Sequence, residues 1–144
     1  MRKLAILAIL AAIGTVPSAA QSQADPFEAR LLELQNGARI REKLPRHSSW
    51  KDRAGTGESL WIGTRGFFGP EDMIGGFLSE KRFFRPGTFP EVSSTGRWED
   101  VGHYTQIIWP TTQAVGCALE QGKGNDVLVC RYWPAGNYFG NKVG

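Results

Sequence analysis

Leu128-Val129-Cys130-Arg131-Tyr132-Trp133-Pro134-Ala135-Gly136-Asn137-Tyr138 is the stretch whose reading decides the fold. Asp126–Tyr132 reads as the second strand of a hairpin whose first strand is Val115–Glu120. The turn signal Gly122-Lys123-Gly124-Asn125 lies between them. A two-residue loop at Lys123-Gly124, closed by a hydrogen-bonded Gly122:Asn125 pair, sets Cys117 opposite Cys130 at a non-hydrogen-bonded position. Side chains approach most closely at such positions, so the register predicts a Cys117–Cys130 disulfide. After Trp133 the tail through Tyr138 is irregular.

Working upstream, Val101 to Trp109 reads as a short helix stopped by Pro110. Residues 85–100 are turn-rich. A second helix opens at Pro70, with Glu71 and Asp72 complementing its positive end, and it is expected to stop before Pro86. Met73, Phe77 and Phe84 fall on one narrow stripe of that helix. Glu80 lies in the middle of the stripe. A carboxylate on a core-facing side needs a partner to offset its desolvation; the alternative is a Glu that snorkels or pairs with a nearby Arg. Ser59 to Ile62 is a candidate strand, Gly63 to Gly69 a turn-rich connection, and 44–58 a loop. Residues 27–43 read as the first helix, with Phe27, Leu31, Leu34 and Ala38 at helical spacing, Asp25 as N-cap and Pro26 in the first turn.

The first 20 residues read as a secretory signal peptide. Arg2 and Lys3 precede an apolar run from Leu4 to Val16, and Pro17-Ser18-Ala19-Ala20 supplies small residues for cleavage after Ala20. That run is too short to span a bilayer, so no transmembrane segment is expected after cleavage. The chain has 17 basic and 14 acidic residues, and losing Arg2 and Lys3 leaves 15 against 14. No block of like charge remains to suggest a nucleic-acid partner. Export to the extracellular space or the periplasm also makes a disulfide the natural state of two cysteines.

Two stretches carry a family resemblance. Gly102-His103-Tyr104-Thr105-Gln106-Ile107-Ile108-Trp109, followed by Thr112, resembles the first signature of the cysteine-rich secretory, antigen 5 and pathogenesis-related (CAP, or SCP) family, and Leu128–Tyr138 resembles its second. The likeness extends over about residues 47–144 and looks closest to short bacterial-type members. The domain expected is 21–144, truncated in its first half. The fold implied is α+β: an α-β-α sandwich with a small, mainly antiparallel sheet between helical layers. Leu31 to Arg39 is similar to the segment opening the family's first helix, with Gln35-Asn36 in place of His-Asn. The family then has a long amphipathic helix, whereas Arg41–Arg46 leads directly into His47. One helix is thus missing, and its loss is expected to expose apolar surface on the sheet.

The resemblance also implies a cleft lined by two histidines and two acids. They match His47, Glu58 in Gly57-Glu58-Ser59-Leu60, Glu80 in Phe77-Leu78-Ser79-Glu80, and His103; His47 and His103 are the chain's two histidines. Two imidazoles and two carboxylates suit a zinc ion, with His47 and His103 as ligands and Glu58 and Glu80 behind them. The alternative is a metal-free hydrogen-bond cluster joining helices to sheet. Three functions compete. One is a secreted binding module for a lipid-like, peptide or glycan partner, for which Trp50, Trp61, Phe67, Phe68, Phe83, Phe89, Trp98 and Trp133 supply aromatic surface or core. Another is a metal-assisted hydrolase using Glu58 or Glu80 as base. The third is a partner-dependent or non-functional truncated chain. No His-Glu-x-x-His helix, Gly-x-Ser-x-Gly elbow or Cys–His pair is present, so enzyme activity is not favoured.

Overall fold

The computed structural model describes residues 25–44, 48–49 and 55–144. Residues 1–20, His47 and Trp50 lie outside them. Helix α1 (Pro26–Arg41) starts as expected, with the Asp25 side chain accepting from the backbone N–H of Phe27 at 2.9 Å. It ends two residues earlier than its apolar spacing suggests. Lys43 takes a left-handed φ of 58°, and the N–H groups of Lys43 and Leu44 return to the carbonyls of Ile40 and Arg39. That pairing closes the last turn and turns the chain away.

The main sheet has four strands: β1 (Ser48–Ser49), β2 (Gly57–Thr64), β4 (Ala114–Gln121) and β5 (Asn125–Trp133). Their order is β1-β4-β5-β2, with β1 parallel to β4 and the other pairs antiparallel. The predicted strand at 59–62 grows to eight residues because β5 pairs with all of them, from Gly57 opposite Tyr132 to Thr64 opposite Asn125. The hairpin closes at Gly122, whose N–H donates to the Asn125 carbonyl at 2.8 Å. Cys117 faces Cys130 with Cα atoms 4.1 Å apart, and the two are disulfide-bonded.

Helix α2 (Pro70–Ser79) is shorter than the run to Pro86 that was expected. At Glu80 it tightens into a 3-10 turn, Glu80–Phe83, closed by the Phe84 N–H on the Lys81 carbonyl. Strand β3 (Gly87–Thr88) pairs with β6 (Lys142–Val143), a small ribbon that the sequence did not announce. A second 3-10 turn, Trp98–Asp100, leads into helix α3 (Gly102–Ile107).

Side-chain alternation assigns the faces of the sheet. Leu128, Cys130 and Tyr132 point to the helical side, where Leu31, Met73, Ile74, Phe77, Tyr104, Ile107 and Trp109 complete the core. Across β2, Ser59 and Trp61 share that side, and Trp61 packs against Gly76 of α2. The other face carries Leu60 and Ile62, 44% and 57% exposed, in register with Val129 and Val127. Among the described residues, helices α1, α2 and α3 sit on the first face, and none of them covers Leu60 and Ile62 on the second.

Two polar side chains of α1 are buried against the sheet and α3. Gln35 accepts from the Tyr132 hydroxyl at 2.7 Å, and its Nε2 lies 3.5 and 3.8 Å from the two disulfide sulfurs. Arg39 donates to the carbonyls of Ile107, Trp109 and Thr112 at 2.9–3.1 Å. It thereby caps the exit of α3, whose last carbonyls have no partners within the helix. Burial lowers its pKa to about 10, still leaving it charged at neutral pH.

Candidate functional site

The site forms where the 3-10 turn after α2 meets the first turn of α3. Glu80 Oε2 accepts the backbone N–H groups of His103 and Tyr104, each at 3.0 Å. These are among the donors that the start of a helix cannot satisfy internally. Glu80 Oε1 lies 2.6 Å from His103 Nδ1. With the carboxylate ionised and the imidazole neutral, Nδ1 carries the proton and Nε2 is the acceptor nitrogen. On one side the ring stacks on Phe77, with centroids 4.5 Å apart and planes 12° from parallel. Phe77 and Glu80 are three residues apart, so one helical face supplies both the stacking surface and the carboxylate.

A second tier stands behind the pair. Glu42, the residue that ends α1, receives the Tyr104 hydroxyl at 2.8 Å and the Lys81 ammonium at 2.5 Å. Lys81 foremost holds the Glu42 carboxyl below its usual pKa. Burial, helped by Glu42, pushes the Tyr104 phenol up, so it stays a donor. Sequence reading missed Glu42, because a charged residue at the end of a helix looks solvated until the elements around it are placed.

The tail locks onto the other side of α3. Asn137 donates to the Gly102 carbonyl and accepts from the Thr105 hydroxyl, both at 2.8 Å. Gln106 accepts from the Gly136 N–H at 2.9 Å. This explains two motif glycines. A Cβ at Gly57 would come within 2.1 Å of Gln106 Oε1, and one at Gly136 within 2.6 Å of its Nε2. Trp98 packs against Gly102, the residue before His103. Its ring is 5.4 Å from that of Phe89, which in turn lies 5.5 Å from Phe139. Phe89 is core, but Trp98 is 36%, Tyr138 52% and Phe139 68% exposed. Of the aromatic residues singled out from sequence, Phe67 is also exposed, while Trp61, Phe68, Phe83 and Trp133 are half-buried.

The structure thus brings Glu80 and His103 together and leaves Glu58 apart. Glu58 falls on the side of β2 opposite Gly57 and Ser59, in register with Arg131, and its carboxylate pairs with that guanidinium at 3.0 Å. His47 lies outside the described residues. No three His, Cys, Asp or Glu side chains converge on a metal position among the described residues. His103 with Glu80 behind it offers one imidazole, whereas zinc takes three or four protein ligands, so these residues alone do not fit the ion.

Comparison with known proteins agrees with this architecture. The pattern of the cysteine-rich secretory protein family (CAP) matches residues 18–132. Venom allergen 5 2 from Polybia paulista is 49% identical over 47 residues, 30% of this chain and 23% of the allergen. Human GLIPR1-like protein 1 is 33% identical over 87 residues, 57% of this chain and 34% of its own length. The matched stretches therefore span about a quarter to a third of these relatives. Among solved structures, NaASP2 with Zn2+ superposes with a TM-score of 0.66 at 20% identity, covering 86% of this chain and 87% of that one. The chain shares the α-β-α sandwich fold of those proteins, its three described helices forming one layer against the sheet, and it belongs to the cysteine-rich secretory protein family.

Proposed function

We propose that this chain is a secreted CAP-domain binding module whose ligand spans the His103 ring and the aromatic rim beside it. The observation that carries the reading is the placement of Trp98 against Gly102, which joins the exposed Trp98–Phe139 surface to the helix turn bearing His103. An acceptor nitrogen fixed by a carboxylate, next to partly exposed rings, suits an amphipathic molecule: a donor group for Nε2 and an apolar body for the rings. Lipid-like, peptide and glycan ligands all offer that combination. No helix of the described residues is long and apolar enough to cross a membrane, which is compatible with an exported domain.

The hydrolase reading is less well supported. Glu58 is engaged by Arg131, and Glu80 spends its acceptors on His103 and Tyr104, so neither carboxylate is placed to activate a water. Zinc enters the proposal only through His47, the donor that would join His103. Thermal unfolding of wild type and His47→Ala with and without zinc tests that part. An upward shift confined to wild type supports a shared ion.

The binding reading is tested by titrating residues 21–144 with a dansyl-labelled fatty acid, a chito-oligosaccharide and a proline-rich peptide, following Trp fluorescence. Saturable binding of one probe that weakens about tenfold or more in both Phe139→Ala and His103→Ala is expected. Binding indifferent to both substitutions, or ester or peptide turnover abolished by Glu80→Gln, would overturn it.

A further inference from the structure

Glu42 grips the residue next to each member of the dyad. Lys81 follows Glu80 in the chain and Tyr104 follows His103, and one oxygen, Glu42 Oε1, receives both the Lys81 ammonium and the Tyr104 hydroxyl. Lys81 also stands over the Tyr104 ring, 5.9 Å from its centroid. Three elements that share no sequence neighbourhood are thus joined at one carboxylate: the end of α1, the 3-10 turn and α3.

We infer that Glu42 is a positioning residue for the Glu80–His103 pair, setting the relative placement of the turn and α3 from the end of α1. Glu80 contacts α3 through three polar bonds, all on the first turn of a six-residue helix. A small rotation of the turn lengthens all three at once. Lys81 lies on that turn but is half exposed, so without Glu42 its ammonium would be hydrated and would hold α3 only through the Tyr104 ring 5.9 Å away. The Tyr104 hydroxyl sits at the end of a ring that is otherwise buried in the core. Glu42 ties the turn, through Lys81, to the buried ring of Tyr104 in α3. Its own position is set by the reversal at Lys43, where the chain end of α1 is closed by two backbone bonds.

The inference concerns the same site as the proposed binding function, but its readout needs no ligand. Ring 15N spectra of His103 in residues 21–144 report the tautomer directly. Wild type is expected to show the form protonated on Nδ1. Glu42→Ala is expected to shift the tautomer ratio about three- to tenfold toward the other form, the effect of weakening the single Glu80–His103 Nδ1 hydrogen bond. Glu42→Gln, which can still accept from Tyr104, should fall between, and Tyr104→Phe should reproduce part of the shift. Amide exchange at His103 and Tyr104 should accelerate in Glu42→Ala relative to core amides such as Leu128. An unchanged tautomer ratio in the folded variants, with only the unfolding midpoint lowered, would reduce Glu42 to a stabilising contact and overturn the inference. Should Glu42→Ala fail to fold, the Gln variant and Lys81→Met decide it, and unchanged spectra in both count against it. A tautomer shift without any effect on probe binding would leave this inference standing and remove His103 from the binding reading.

Discussion

Glu80 and His103, 23 residues apart in sequence, meet twice: through the imidazole Nδ1 at 2.6 Å and through the backbone N–H at 3.0 Å. The double contact means that the carboxylate orients the ring and caps its helix with the same side chain. Replacing Glu80 by Gln removes the charge and leaves one acceptor oxygen for three donors. The expected cost is about 1–3 kcal/mol of folding stability, with loss of the single His103 tautomer. Urea unfolding and ring 15N spectra of the one variant check both halves.

Arg39 ties α1 to the exit of α3 through three carbonyls. Arg39→Met keeps much of the volume but strands those acceptors in the core. A loss of about 3 kcal/mol or more is expected, since hydrogen bonds to a charged group are each worth about 1.5–3 kcal/mol. Arg39→Lys should recover little, because one ammonium cannot reproduce the planar fork. Chemical denaturation of both variants checks the pair, and a fully restored Lys variant would contradict it.

Glu42 makes the domain sensitive to acid. Its folded pKa lies below the ordinary 4.5, chiefly because of Lys81, so the stability it adds is present above the unfolded value. That stability is lost as pH falls through the folded value. Between pH 6 and 3 the melting temperature of wild type should therefore drop more steeply than that of Glu42→Gln. Parallel curves would show that Glu42 carries no such linkage.

The disulfide closes a separation of 13 residues. A loop of that size is worth about 3 kcal/mol by chain entropy. The Cys117→Ala, Cys130→Ala double variant should lose that amount in urea unfolding. The variant should also perturb the Gln35 side-chain amide in NMR spectra, because Gln35 lies against both sulfurs.

What was legible in the sequence was what short stretches decide alone. A two-residue turn sets the register of its hairpin, so Cys117 could be placed against Cys130 by counting. Helical spacing put Glu80 on an apolar stripe, and desolvation then required that it find a partner, though not which one. Asp25 and Pro26 marked the start of α1 because capping is local.

Other features depended on how separate elements docked. Nothing in α1 distinguishes Gln35 and Arg39 from solvated polar residues until Tyr132 and the end of α3 are laid against them. Glu58 belonged with the cleft by motif position, yet strand alternation in a sheet whose register is set by β5 put it beside Arg131. The sequence by itself determined the hairpin, the cystine and the need for a partner at Glu80. The family resemblance put His103 in the same cleft, and only the tertiary structure decided which of its atoms meet Glu80 and that Glu42 stands behind both. Local geometry follows from covalent neighbours, whereas a buried polar group is defined by atoms that arrive from elsewhere in the chain.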